Sequence, residues 1–119
     1  MGNTISALGT QYPIDIFTWQ VYRENDMIYR VDLSKRVRKQ LQKLPRYIVE
    51  NLAAWVDDVE DRGLEEVRKI SGYHDEPLHG NRLGQRSIRL SRAYRAIYRV
   101  CEDHSIEFVS VEEISKHAY

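Results

Sequence analysis

The stretch that most constrains the fold of this chain runs from residue 79 to residue 100, HGNRLGQRSIRLSRAYRAIYRV. Apolar residues alternate along both of its halves, and side chains on an extended chain point alternately to opposite faces. We therefore expect two strands, with Ile88 and Leu90 sharing one face of the first and with Arg95 and Arg99 on the polar face of the second. The apolar face of the second strand is expected to carry Tyr94, Ala96, Tyr98 and Val100.

The same stretch contains six arginines and no acidic residue. Ser91, Arg92 and Ala93 are short or polar enough to form the turn between the two strands. Arginines on paired strands would form a rigid basic surface, and guanidinium groups bind phosphate oxygens in pairs, so the stretch predicts a site for a polyanion. The alternative is that these arginines cover an ordinary solvated sheet face. The six are Arg82, Arg86, Arg89, Arg92, Arg95 and Arg99.

The charge of the chain is distributed in blocks, although its formal net charge is zero. Residues 30–46 carry seven basic side chains against Asp32 alone, whereas residues 48–78 carry nine acids against three cations. Local blocks decide local binding more than the total does. The single cysteine, Cys101, excludes an internal disulfide framework and fits a reducing compartment. With no apolar run of membrane length and no signal sequence, a cytoplasmic protein without a membrane partner is expected.

The chain length fits one domain, which we expect to span residues 27–119 after an N-terminal extension over residues 1–26. Residues 13–23 of that extension have strand-like composition, and the extension is either an added edge strand or a start-site artefact. In the domain, Ser34 is expected to cap a first helix that Pro45 ends, and Gly63 is expected to end a second helix.

The order of elements predicts an α+β fold. Residues 28–33 form a strand, the two helices follow as a hairpin, and strands return in the arginine-rich stretch after a loop over residues 73–81. Residues 106–111 are apolar on both faces, which is typical of a central strand, and residues 112–119 are expected to be a tail. We therefore expect an antiparallel-rich twisted sheet with the N-terminal helical hairpin packed on one face, leaving the other face for the arginines.

Three segments of this pattern resemble the RelE/ParE superfamily of bacterial type II toxins. They are the helical segment LSKRVRKQLQKLP, the double strand RSIRLSRAYRAIYRV and the ending KHAY. The resemblance covers residues 28–119, and within the superfamily the chain is most similar to the RelE-like branch. It implies a ribosome-dependent mRNA endonuclease that acts in the ribosomal A site and stops translation. It also implies an antitoxin with an acidic, initially disordered segment, and contact with DNA only through the toxin–antitoxin complex.

The resemblance also implies roles for particular residues. His117 would transfer a proton, since the unperturbed pKa of histidine is about 6.5, and Tyr119 would stack on a base or contact a phosphate. Arg92 and Arg86 would complete the catalytic set by stabilising charge on the phosphate. Substrate binding would fall to a further set of basic residues. That set is Arg89, Arg95, Lys116 and His79.

The loop before the sheet departs from the family pattern and leaves alternative functions open. The family's nuclease pattern has a lysine- or glutamate-bearing segment before the sheet, and here the matching loop offers His74, His79 and Glu76 as substitutes. A ParE-like inhibitor of DNA gyrase, or an inactive binding module on the same fold, would need none of these groups. The lone cysteine and the histidine spacing match no metal site, so neither a metal nor another cofactor is expected.

Overall fold

The computed structural model describes residues 27–116, and these residues form a five-stranded mixed sheet with helices on one face. The order of strands across the sheet is β1-β5-β4-β3-β2. β1 is parallel to β5, and the other neighbours are antiparallel. The predicted α+β class and helical hairpin are confirmed. The strands are β1 (Val31–Leu33), β2 (Glu76–Pro77), β3 (Gln85–Arg89), β4 (Tyr94–Asp103) and β5 (Ile106–Lys116).

The first helix, α1 (Lys35–Leu41), begins where the sequence predicts it. The Oγ of Ser34 accepts a hydrogen bond from the backbone N–H of Val37 at 3.1 Å, so the serine is the expected N-cap. Val37 is fully buried on the helix face that packs on the sheet. The side chain of Gln40 bonds both backbone groups of Ile114, at 3.0 and 2.8 Å, and this double contact fixes α1 along the end of β5.

The second helix, α2 (Arg46–Arg62), buries four apolar residues at helical spacing, and α3 (Leu64–Arg68) follows directly. Gly63 separates the two helices with φ of 88° and ψ of 148°, a conformation that is almost restricted to glycine. The predicted end of the second helix at Gly63 is therefore confirmed. The buried residues of α2 are Ile48, Leu52, Trp55 and Val59.

The core lies between these helices and the inner face of the sheet. Trp55 and Tyr98 are both fully buried, and their rings pack with centroids 5.3 Å apart at an angle of 43°. Ile88 and Ala96, which are paired across β3 and β4, contribute the neighbouring apolar side chains. The alternation predicted for the arginine-rich double strand is thus confirmed, with its apolar positions directed to the core.

Two local predictions were wrong. The segment after Val111 is not a tail, because β5 continues to Lys116 and pairs with β4 up to the contact between Lys116 and Tyr94. The loop over residues 73–81 includes the two-residue strand β2, which pairs with β3. Both errors have the same cause, since the partner strand supplies hydrogen bonds that local composition does not reveal.

The N-terminal extension over residues 1–26 lies outside the described residues, and so do His117 and Tyr119. The domain boundary proposed at residue 27 therefore stays a prediction.

Candidate functional site

The register of three strands places two arginines side by side on the outer face of the sheet. Arg89 of β3 is opposite Arg95 of β4, and Arg95 is opposite Ser115 of β5. Their sequence neighbours Ile88 and Ala96 point the other way, into the core. The outer face is therefore the one that carries the polar side chains, as the sequence predicted.

This face is not the uncompensated basic surface that the sequence suggested. The Nη2 of Arg82 lies 2.8 Å from a carboxylate oxygen of Glu113, and the Nε of Arg99 lies 3.5 Å from one of Glu112. Glu112 and Glu113 come from β5, more than ten residues from either arginine in sequence. The expectation of an acid-free surface was therefore wrong, because sheet pairing brings acids from another strand next to the arginines.

Arg86 makes the most buried of these ion pairs. Its Nε donates to Oδ1 of Asp75 at 2.6 Å, and the other oxygen of Asp75 accepts a hydrogen bond from the Tyr98 hydroxyl at 2.6 Å. The Asp75 side chain is only 1 % exposed. Burial acts to lower the pKa of Arg86, but the hydrogen bond and charge of Asp75 outweigh it and leave the pKa raised. The guanidinium therefore faces the protein's own carboxylate on the core side of the sheet.

Tyr98 completes this buried group. Burial first, and then the hydrogen bond to Asp75, raise the pKa of the Tyr98 hydroxyl far above its ordinary value. The hydroxyl is therefore held as a donor to the Asp75 carboxylate. The Nε of Arg68 lies 3.4 Å from the same hydroxyl oxygen.

A second group forms on the outer face, which we call the outer-face cluster: His74, Glu76, Ser87, Arg89 and Arg95. The Nε of Arg95 donates to the Ser87 Oγ at 2.9 Å, and its Nη2 lies 3.1 Å from the His74 carbonyl oxygen and 3.4 Å from a Glu76 carboxylate oxygen. The Nη1 of Arg89 lies 3.3 Å from Nε2 of His74. A histidine and a carboxylate thus meet two guanidinium groups, which is a set suited to proton transfer beside a phosphate.

Arg89 is the least neutralised member of the cluster. Within residues 27–116 it takes part in no ion pair, and its buried Nε has no hydrogen-bond partner there. Its charge is therefore not paired with a carboxylate among these residues, whereas the charge of Arg95 is shared with Glu76, a side chain that is 62 % exposed. A hollow of about 350 Å³ adjoins Arg95 and is also lined by Glu76, Ser87, Ile97 and Ser115.

Arg92 and Lys116 lie at one end of the sheet. Arg92 is exposed in the turn between β3 and β4, two residues before Tyr94. Lys116 pairs with Tyr94 in the ladder, and its Nζ lies 5.6 Å from the centre of the Tyr94 ring. In the described part of the chain neither cation forms an ion pair, so this end of the sheet is where positive charge is uncompensated.

The remaining predicted residues divide as follows. His79 is exposed at the start of a 3₁₀ turn and lines a different hollow from that of Arg95. His117 and Tyr119 belong to the residues that the structure does not describe, and their roles stay predictions.

Sequence reasoning missed Asp75 and Ser87. Asp75 is flanked by His74 and Glu76, which were both considered as substitutes in this loop, so an acid beside an arginine-rich hairpin was a signal that could have been used. Ser87 gave no signal, because its role depends on Arg95 lying across the ladder.

Residues 27–116 lack two kinds of feature, a metal-binding cluster and a membrane-spanning helix. No group of three or more His, Cys, Asp or Glu side chains there is arranged to hold a metal ion. None of the helices formed by these residues combines the length and the apolar character that crossing a membrane requires.

Several solved structures share this fold. The chain has 17% identity and a TM-score of 0.56 to a YoeB/ParE toxin from Agrobacterium tumefaciens, covering 75% of this chain and 99% of that one. The RelBE2 toxin–antitoxin complex from Mycobacterium tuberculosis has 22% identity and a TM-score of 0.54, and the match covers 76% of this chain and 99% of that one. YafQ from E. coli has 14% identity and a TM-score of 0.54, and the match covers 72% of this chain and 90% of that one. These likenesses demonstrate a shared fold.

Family membership rests on the sequence itself. Comparison with curated proteins found no match. The family model described as "ParE toxin of type II toxin-antitoxin system, parDE" matches residues 31–115, which is well over half of the chain and includes every strand from β1 through most of β5. The chain therefore belongs to the ParE toxin family of type II toxin–antitoxin systems, within the RelE/ParE superfamily.

Proposed function

We propose that this toxin is a ribosome-dependent mRNA endonuclease. The observation that carries the proposal is the outer-face cluster, in which Arg89 and Arg95 lie side by side and contact His74 and Glu76. A protein that acted only by binding would not need a proton-accepting group held against paired guanidinium groups. The fold that this chain shares with the YoeB/ParE toxin, RelBE2 and YafQ is compatible with this proposal.

The proposed reaction is attack of a ribose 2′-oxygen on the adjacent phosphorus, which breaks the bond to the 5′-oxygen. The 2′-hydroxyl proton passes to a base, and the 5′-oxygen gains a proton from an acid, leaving a cyclic phosphate and a 5′-hydroxyl. Glu76 is our proposed base, since its carboxylate is exposed beside Arg95, and His117 is our proposed acid. Arg89 and Arg95 would stabilise the charge that develops on the phosphate.

The other predicted residues are assigned supporting roles. Arg92 and Lys116 would bind flanking phosphates at the end of the sheet, and Tyr119 would stack on a base. Arg86 was predicted as a catalytic residue, but its guanidinium is committed to the buried Asp75, and we propose that it acts through this contact. His79 would then be peripheral to the reaction.

We also propose that a cognate antitoxin neutralises this chain in the cytoplasm. The RelBE2 structure and a structure of DinJ-YafQ from E. coli are toxin–antitoxin complexes. An acidic segment that folds on contact would complement both the uncompensated cations and the exposed apolar side chains of this domain. Leu83 is one such side chain, since 75% of it is exposed beside Arg68 and Arg86 in a hollow of about 300 Å³.

Gyrase inhibition is the second candidate, because the matched family model bears the ParE name. The ion pairs of Arg82 and Arg99 also weaken the case for a surface dedicated to RNA. A ParE-like inhibitor would bind its target through surfaces and would require neither Glu76 nor His117 for toxicity.

An in vitro cleavage assay on programmed ribosomes separates the two candidates. We expect the purified toxin to cut mRNA in the A site, and we expect Arg95→Ala to lower kcat by about 100- to 1,000-fold, as loss of one charge-stabilising group does. His117→Ala should also lower kcat by roughly 100-fold or more. Lys69→Ala, which breaks only the surface contact with Glu66, is the matched control.

The opposing result is equally definite. Intact mRNA on programmed ribosomes, together with inhibition of gyrase supercoiling by both wild type and His117→Ala, would replace the nuclease with a gyrase inhibitor. Intact mRNA without inhibition of gyrase would leave a binding module.

A further inference from the structure

The loop that carries His74 and Glu76 is attached to the core by the residue between them. The side chains of His74 and Glu76 are directed to Arg89 and Arg95 on the outer face, whereas the side chain of Asp75 is 1 % exposed and enters the core. His74 has φ of 46° and ψ of 50°, a left-handed conformation that turns the chain at this point. Three consecutive residues thus connect the outer face to the interior.

Both oxygens of the Asp75 carboxylate are occupied by partners on different strands. Arg86 of β3 and Tyr98 of β4 each bind at 2.6 Å. Tyr98 is itself held by its ring contact with Trp55 of α2. Charge-assisted hydrogen bonds of this length are the strong ones, so Asp75 joins the loop to two strands and, through Tyr98, to a helix.

The part of the loop after Asp75 makes few backbone bonds to the sheet. β2 contributes only two residues to the sheet, Glu76 opposite Ser87 and Pro77 opposite Arg86, and proline has no backbone N–H to donate. One further backbone bond follows, from Leu78 N–H to the Gln85 carbonyl at 2.9 Å. A strand this short cannot fix the position of Glu76 by itself, since isolated pairs of strand residues have little stability.

We propose that Asp75 is the positioning residue of the outer-face cluster, holding Glu76 and His74 against Arg95 and Arg89 through its buried bonds to Arg86 and Tyr98. This inference deepens the proposed nuclease function and rests on it for its catalytic consequence. Its structural part, the attachment of the loop, does not depend on any reaction.

The catalytic test uses Asp75→Asn, which keeps the shape of the side chain but cannot accept from both partners with a full charge. We expect kcat on programmed ribosomes to fall by about 100-fold, since a misplacement of about 1 Å has an effect of this size, with KM nearly unchanged. Tyr98→Phe removes one of the two bonds and should give a smaller loss in the same direction.

The structural test is amide hydrogen exchange at Leu78, the last backbone bond of the loop. Exchange should accelerate about ten-fold or more in Asp75→Asn, the factor that one charge-assisted hydrogen bond is worth. Asp32→Asn is the control, because it removes an Asp–Arg pair of 2.8 Å on β1, away from the loop. If Asp75→Asn does not fold, Tyr98→Phe carries the same measurement.

The outcomes distinguish the two ideas. Unchanged Leu78 exchange in the folded variants overturns the positioning role, whatever the activity. Faster exchange with a kcat equal to that of wild type shows that the loop does not carry the reaction, and it also overturns the role. A wild-type protein that does not cleave mRNA removes the nuclease proposal, and Leu78 exchange then still decides whether Asp75 holds the loop.

Discussion

Arginines of a single stretch acquire different roles from the partners that each one meets. Arg86 is buried against Asp75, Arg95 shares its charge between Ser87, the His74 carbonyl and Glu76, and Arg92 has no ion pair among the described residues. The chemistry of a guanidinium depends on which acceptors surround it, so residue type alone does not assign a function. The different roles proposed for Arg86, Arg92 and Arg95 therefore follow from the partners that surround them.

Trp55 allows a prediction at the residue scale, because it is fully buried and its indole Nε1 has no hydrogen-bond partner among residues 27–116. Trp55→Ala should lower the free energy of unfolding by about 3–5 kcal/mol through the cavity it leaves. Trp55→Phe should cost less than about 1.5 kcal/mol, because it retains the ring contact with Tyr98 and removes an unsatisfied donor. Urea unfolding of the two variants checks this order, and equal losses would contradict it.

Tyr73 gives a pH prediction. Burial, and then the hydrogen bond from its hydroxyl to Asp58, raise its pKa from 10.0 to about 12. Because the folded-state pKa is the higher one, this stabilisation is complete below pH 10 and is lost as the pH rises from 10 to about 12. The advantage of wild type over Tyr73→Phe in unfolding free energy should therefore shrink over this interval, by less than about 1.4 kcal/mol per pH unit. Denaturation curves at several pH values measure it, and a constant difference would refute it.

At the scale of elements, the short junctions between helices and strands determine where the functional groups lie. Gly63 joins α2 to α3, and the N–H of the next residue, Leu64, donates to the Ile28 carbonyl at 2.8 Å, so the junction also holds the chain that leads into β1. The loop of Asp75 has the corresponding task at the other side of the sheet. Such junctions tolerate few substitutions, because the residue at each one must adopt the required backbone conformation and also fit the neighbouring side chains.

Gly63→Ala tests this at one junction. A Cβ at Gly63 would lie 2.8 Å from Met27 Cε, and the φ of +88° is strained for any residue with a side chain. The flexible methionine can move away, but the backbone strain remains, and we expect a loss of about 1–3 kcal/mol in unfolding free energy. Gly72→Ala is the matched control, since a Cβ there meets nothing within 4 Å. Equal stability of the two variants in chemical denaturation would show that the junction is not strained.

Elements of this fold were predictable from sequence wherever the determining signal was local. Ser34 as a cap, Gly63 as a stop and the alternation through Ile88 and Tyr98 each follow from residues a few positions apart. The pairing of charges was not predictable, because Arg82 meets Glu113 at 31 residues' separation and Arg99 meets Glu112 at 13. Those contacts depend on the register of β5, in which Glu112 is a bulge opposite Ile97 and Tyr98 of β4.

For the candidate site the same limit applies. The arginine-rich hairpin was evident from its composition, and the loop bearing His74 and Glu76 was recognised as the matching segment. His74 and Glu76 reach the arginines, and His79 does not, because β2 pairs with β3. A strand of two residues is too short to be predicted from its sequence. Asp75 was overlooked because an acid in a polar loop is ordinarily exposed.

At the scale of the whole molecule, zero net charge conceals a polarity that runs along the sheet. Acids of β5 neutralise the arginines at its middle, while Arg92 and Lys116 remain unpaired within residues 27–116 at the end where Tyr94 begins β4. Lys39 and Lys43 of the α1 region also form no ion pair there, and Gln40 between them is bonded to Ile114, near the same end. This distribution favours approach of a polyanion to one end of the domain.

Salt dependence of ribosome binding tests that polarity directly. Programmed ribosomes carrying mRNA with a 2′-deoxy nucleotide at the cut site would report binding without cleavage. Each lost phosphate contact should reduce the slope of log K against log salt concentration by about 1, so we expect this change for Arg92→Ala and for Lys116→Ala. Lys69→Ala also removes one cation, but its Nζ lies 3.1 Å from Glu66, and its slope should stay near that of wild type. The comparison separates local from general electrostatics, because all three variants have the same net charge. Equal slopes for the three would mean that RNA responds to total charge, and the end of the sheet would then have no special part in binding.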